Sequence, residues 1–190
     1  KKVGFAVEGS AMNTDGFKTV TKEAGPVDNN AAVEYSNFTG KVEYLPSDRL
    51  GFTGRVGYFN ENRDNGKVGE LNDTRWTSVS GGVRMKLRDS SDLQGRLFGD
   101  IQNAHYNFLA VSNAATTRNM VRLATDQRVP VNGFGGMVQW LKAIGTKQAI
   151  TAGGDWRWVD GDSREDAYSA IPGAPVGPDG VTLPAQLTVQ

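Results

Sequence analysis

Three features of this chain carry residue types that could do chemistry: a solitary histidine, an acidic cluster and a glycine run. His105 is the only histidine. Nucleophilic catalysis would set it beside an activated serine and an orienting acid. The sequence has no Gly-x-Ser-x-Gly motif and offers no nameable partner. His105, next to Tyr106, therefore reads as a polar residue near a strand end. Asp155, Asp160, Asp162, Glu165 and Asp166 supply hard oxygen atoms of the kind Ca²⁺ takes. They lack the spacing of an EF-hand loop, and acidic runs in loops stay hydrated. Gly133-Phe134-Gly135-Gly136 lacks the Lys-Ser/Thr and the helix of a phosphate loop. Glycines there relieve strand curvature. No catalytic residue, no metal and no cofactor is expected, and the chain is not read as an enzyme.

Composition narrows the class. Apolar residues make up 38% of the 190 residues and glycine contributes 24. So much glycine argues against a helical protein, and the collagen period is absent. The absence of cysteine excludes disulfides and thiolate metal sites. Lys plus Arg equals Asp plus Glu at 21 each, so no global charge draws the chain to nucleic acid. No apolar run is long enough for a transmembrane helix. No leader opens the sequence, as expected of a chain that has lost one or that starts inside a longer protein.

The elements that must position these residues follow a period of two. Leu50, Phe52, Gly54, Val56 and Tyr58 share one face, and Gly51, Thr53, Arg55 and Gly57 the other. Thr77 to Arg88 splits likewise, with Val79, Val83 and Met85 opposite Ser80, Arg84 and Lys86. Leu93, Leu97 and Ile101 oppose Gln94, Arg96 and Asp100, with Phe98 the exception. Stripes over Val3–Ala11, Phe38–Tyr44, Phe134–Trp140 and Ile150–Trp158 complete the set. Val33 and Tyr35 fall out of phase with Phe38 to Tyr44, which predicts a bulge between them.

The expectation is an all-β chain of seven strands near 2–12, 32–45, 50–61, 74–88, 92–107, 128–142 and 148–159. They exceed the roughly five or six residues of ordinary strands and match the roughly 9–11 needed to cross a bilayer. Short connections at Pro46–Arg49, Asp89–Ser91 and Ala143–Lys147 alternate with long ones at 13–31, 62–73, 108–127 and 160–190. Short turns on one side and long polar loops on the other are the pattern of an antiparallel outer-membrane β-barrel. The Pro/Gly-rich stretch 171–184 excludes a regular strand. An eighth strand at 182–190 would be short and would carry Pro184.

In such a barrel Phe52, Val56, Val79, Val83, Leu97, Ile101, Val138 and Ile150 face lipid. Arg55, Arg84, Lys86, Arg96, Asp100, Asp155 and Arg157 face the lumen, together with Arg88 and Glu43. Tyr44 and Trp140 near short turns, and Tyr58, Trp156 and Trp158 near long loops, would form interfacial girdles. Seven strands is odd, whereas bacterial barrels have an even number, and an open edge in lipid leaves backbone groups unpaired. The expectation is therefore a segment of a larger barrel.

Two stretches carry a family resemblance: Gln127-Arg-Val-Pro-Val-Asn-Gly-Phe-Gly-Gly-Met-Val-Gln-Trp140 and Ile150-Thr-Ala-Gly-Gly-Asp-Trp-Arg-Trp-Val-Asp-Gly-Asp162. They resemble a loop-strand-turn-strand unit of TonB-dependent outer-membrane receptors, and the likeness extends over most of residues 1–170. It implies a bacterial outer-membrane location, membrane lipid as a partner and energised uptake of a scarce, bulky nutrient: a ferric siderophore, a cobalamin or an oligosaccharide. It also implies a plug domain and an energy-coupling protein outside this segment, whose motifs the chain lacks. The substrate is not named by the sequence. The alternatives are a small structural or adhesive outer-membrane barrel, an outer-membrane hydrolase, and a soluble β-sandwich or fibre protein.

Overall fold

A computed structural model describes residues 2–112, 117–168 and 187–188. Among these residues there is no helix, and the fold is all-β. Seven long strands run β1 (Lys2–Lys18), β2 (Asn30–Ser47), β3 (Leu50–Asp64), β4 (Leu71–Lys86), β5 (Asp92–Ser112), β6 (Met120–Ile144) and β7 (Gln148–Gly161). They form one antiparallel sheet in sequence order, each strand beside the next. Two short strands, β8 (Arg164–Ala167) and β9 (Leu187–Thr188), pair with the start of β6. The last pair lies within the segment read as a possible eighth strand. It meets Met120 and Val121 rather than β1. Stretch 171–184 lies outside the described residues.

Register brings the period-two stripes into rows across the sheet. One row runs Val3, Tyr44, Phe52, Val83, Gly95, Val138 and Gly154. The next runs Phe5, Val42, Gly54, Gly81, Leu97, Gly136 and Trp156. Large side chains sit beside glycines along these rows. A Cβ on Gly136 would lie 2.8 Å from Leu97 Cδ2, so the missing side chain is what lets Leu97 lie across β6.

Three long connections are shorter than sequence reading expects. Chain read as loop within 13–31, 62–73 and 108–127 continues as strand, leaving 19–29, 65–70 and 113–119 between strands. The segment after residue 160 likewise contains β8. The extra strand of β5, Phe108 to Ser112, pairs with β6 from Thr125 to Met120, with a register shift between Phe108 and Leu109. That shift changes the phase of the alternation, which hides the continuation from a period-two count. Strand β4 ends at Lys86 rather than 88, where Leu87 begins the turn, its N–H bonding Ser91 O at 2.8 Å. The bulge expected between Val33 and Phe38 is absent. Register from Val33 to Tyr44 is unbroken on both sides of β2. Tyr35 instead faces the polar side, against Phe59 at 6.1 Å. The irregularity on β1 lies between Thr14 and Phe17, where Gly16 adopts φ +60°.

The buried core is small and lies at the long-connection end. Val27, Leu109 and Val121 pack together, with Val111 and Leu123 against them. Loop 19–29 thus covers the extended part of β5 and β6. Backbone bonds tie it down: Val27 N–H to Arg118 O at 3.2 Å and Val68 N–H to Val27 O at 2.9 Å.

Candidate functional site

Residues read as lumenal share one face by register. Arg55, Ser80, Phe98, Gly135 and Arg157 form one row; Thr53, Gly82, Arg96, Met137 and Asp155 form the next. Arg84 follows beside Gln94, and then Lys86 beside Asp92. On the other side of the Arg55 row lies a row of small residues: Thr39, Gly57, Ser78, Asp100 and Gly133. Beyond it, Phe59 is paired with Trp76.

These rows enclose a recess of about 660 Å³. Its floor is low because its residues are small: Thr39 and Gly57 are buried, and a Cβ on Gly57 would lie 2.7 Å from Ser78 Oγ. Phe98 lies over Gly135, whose Cβ would stand 2.7 Å from the ring. This accounts for the phenylalanine that interrupts the polar stripe Gln94, Arg96, Asp100 and Gln102 of β5. Trp76 and Phe59 were missed as site residues because they stand at strand ends, where an inward aromatic looks like any other strand aromatic.

Charge on this face is only partly compensated. Lys41 bonds Glu8 at 3.1 Å, Arg84 reaches Asp92 at 3.3 Å, and Arg157 stands 3.9 Å from Asp100. Arg55, Arg96 and Lys86 form no ion pair among the described residues. All three are exposed.

The apolar residues fall on the opposite face. Phe52, Val56, Val79, Val83, Leu97, Ile101, Val138 and Ile150 are all exposed, Leu97 to 67%. Trp140 lies one row inside the Lys142–Ile150 pair at the short-turn end, and Tyr44 lies in the row after that of Trp140. Trp156 falls in the middle row, Trp158 in the row above and Tyr58 in the row beyond. Phe134 meets Trp156 edge-on at 5.0 Å and Trp158 at 5.3 Å.

His105 stands on this same face, near the long-connection end. Its Nδ1 is 3.3 Å from Asp73 Oδ2 and its Nε2 is 2.5 Å from Asp126 Oδ1. A carboxylate on each side leaves neither nitrogen turned to a hydroxyl as a base. Of the acidic cluster, Asp162 bonds Arg164 at 3.2 Å, and Asp155 and Asp160 stand on exposed β7. No group of three potential metal ligands occurs among the described residues.

No protein-family model, curated protein or solved structure matches the chain. The fold defines its class: an all-β protein built on one antiparallel sheet, apolar on one face and polar on the other.

Proposed function

We propose that this sheet is a section of a membrane-spanning β-barrel wall, its apolar face against lipid and its polar face toward an aqueous lumen. One contrast carries the reading. At the extended ends of β5 and β6, beyond the charged level of His105, protein covers an apolar cluster: Val121 and Val27 are 0% exposed, while Leu71 past Asp73 stays 55% exposed. Below that level the apolar rows are bare, Phe5 to 84%. A chain that builds a lid for the first group and none for the second treats the two surroundings differently.

Dimensions agree. Leu50 to Tyr58 spans five apolar rows on β3. Four two-residue steps cover about 27 Å of strand, and a strand tilted as in barrels rises about 20 Å over that length, near the roughly 25 Å apolar band of outer-membrane proteins. Both edge strands, β1 and β7, pair on one side only among the described residues. Neighbouring strands would satisfy those edges in lipid.

The resemblance to TonB-dependent receptors extends the proposal to nutrient uptake across a bacterial outer membrane. A plug and an energy-coupling protein would then act with the wall. The test is lipid contact. Single-tryptophan variants retaining Trp156, Trp158 or Trp76 are reconstituted in vesicles containing brominated lipid. Quenching of Trp156 and Trp158 with Trp76 spared is expected. Equal quenching of all three would overturn the facing.

A further inference from the structure

The polar face is more than a wet wall. From the recess toward the short turns, cations occupy four successive rows: Arg55 and Arg157, then Arg96, then Arg84, then Lys86. Rows stand about 7 Å apart along a strand. A structural explanation would pair each cation with a neighbouring carboxylate, as in a hydrated wall of mixed charge. Arg55, Arg96 and Lys86 have no such partner among the described residues. The track therefore complements negative charge arranged along the strand direction.

The upper end of the track adds ring recognition. Trp76 and Phe59 stand on one side of the low floor, Phe98 on the other, and Trp76 is 46% exposed. Between them lie Thr39, Ser78 and the Asp100 carboxylate. Exposed aromatic faces stack on the C–H faces of sugar rings, and hydroxyl and carboxylate groups take hydrogen bonds from sugar hydroxyls. Asp100 would repel the phosphates of a nucleic acid strand but accept from a hydroxyl. We propose that this face binds an extended acidic glycan, its rings at Trp76 and Phe98 and its carboxylates along Arg55, Arg96 and Lys86. The inference rests on the reading that this face lines an aqueous lumen.

Calorimetric titration of the detergent-solubilised full chain tests it. The probes are hexagalacturonate, its fully methyl-esterified form and an oligothymidylate of the same charge. Saturable binding of hexagalacturonate is expected, weakening as salt rises. The ester should bind at least tenfold more weakly, and so should hexagalacturonate to the Arg55→Gln/Arg96→Gln double variant. Arg55→Lys/Arg96→Lys should recover part of the loss, and Trp76→Leu should weaken binding with every charge intact. Arg164→Gln, whose charge lies outside the track, should bind as the parent does. Absence of binding, equal binding of the ester, or indifference to the track variants overturns the proposal. Tighter binding of oligothymidylate overturns the glycan assignment. Bromolipid quenching is measured without any glycan, so failure here and failure of the membrane reading are distinguishable.

Discussion

Arg118 forks onto Asp28 across 90 residues of sequence: Nε donates to Oδ2 at 2.7 Å and Nη2 to Oδ1 at 2.5 Å. The Asp28 side chain is 1% exposed and that of Arg118 is 15%. Asp28 Oδ2 also accepts from Gly25 N–H at 2.8 Å. Removing the guanidinium by Arg118→Met leaves a buried carboxylate unpaired, which costs about 3–5 kcal/mol. The loss should appear as local opening of loop 19–29, read as faster hydrogen exchange at the Val27 amide with β2–β4 unchanged. Unchanged exchange would mean that the pair does not hold the loop.

The same pair sets an acid limit. Hydrogen bonds from Arg118, opposed by burial, hold the Asp28 carboxyl below its usual range. A depressed carboxylate contributes stability that is fully present above the unfolded value, about 3.9, and is lost as pH falls through the folded one. Loop protection should therefore persist at pH 5 and fall only below the ordinary aspartate range. Asp28→Asn should remove this acid dependence.

At the other end of the sheet, Asp89 is held far below the usual carboxylate range, chiefly by Lys142 at 2.8 Å and then by Ser91. Lys142→Gln should raise the Asp89 titration toward ordinary aspartate values, read by NMR of a labelled carboxyl. An unmoved titration would show that Ser91 alone fixes the turn.

Leu97 stands in the middle apolar row beside Gly81 and Gly136. Leu97→Arg should destabilise the folded protein in vesicles by about 2–4 kcal/mol, the cost of a cation at the bilayer midplane. Urea unfolding measures it. A change within about 0.5 kcal/mol would assign this face to water.

Gly135 should tolerate no side chain. A Cβ there would lie 2.6 Å from Trp156 O and 2.7 Å from the Phe98 ring. Gly135→Val must displace both, and overpacking of this kind costs about 1–3 kcal/mol. Near-ultraviolet circular dichroism and thermal midpoint should change together.

Much of the sheet was legible because alternation is a local property. Leu50 to Tyr58 and Thr77 to Met85 declare their faces without reference to any neighbour. The upper halves of β5 and β6 were not legible, because Arg122 to Arg128 carry no apolar stripe, Pro130 reads as a boundary, and a register shift reverses the phase. Contacts that depend on register were also invisible. His105 meets Asp73 and Asp126 only because three strands align, and no spacing in the sequence announces Arg118 beside Asp28. The recess needs Thr39 and Gly57 set beside Ser78, Asp100 and Phe98, which the sequence supplies only as scattered residues.

The bare rows and the two half-paired edge strands also constrain the molecule's journey. A sheet with Phe5, Leu97 and Trp156 open to its surroundings, and with β1 and β7 each paired on one side only among the described residues, is self-adhesive in water. If the sheet is the membrane wall proposed above, such a chain would have to stay unfolded or be escorted by a holding protein between synthesis and its final seat. The passage through water, more than the destination, then becomes the step at which it is most easily lost to aggregation.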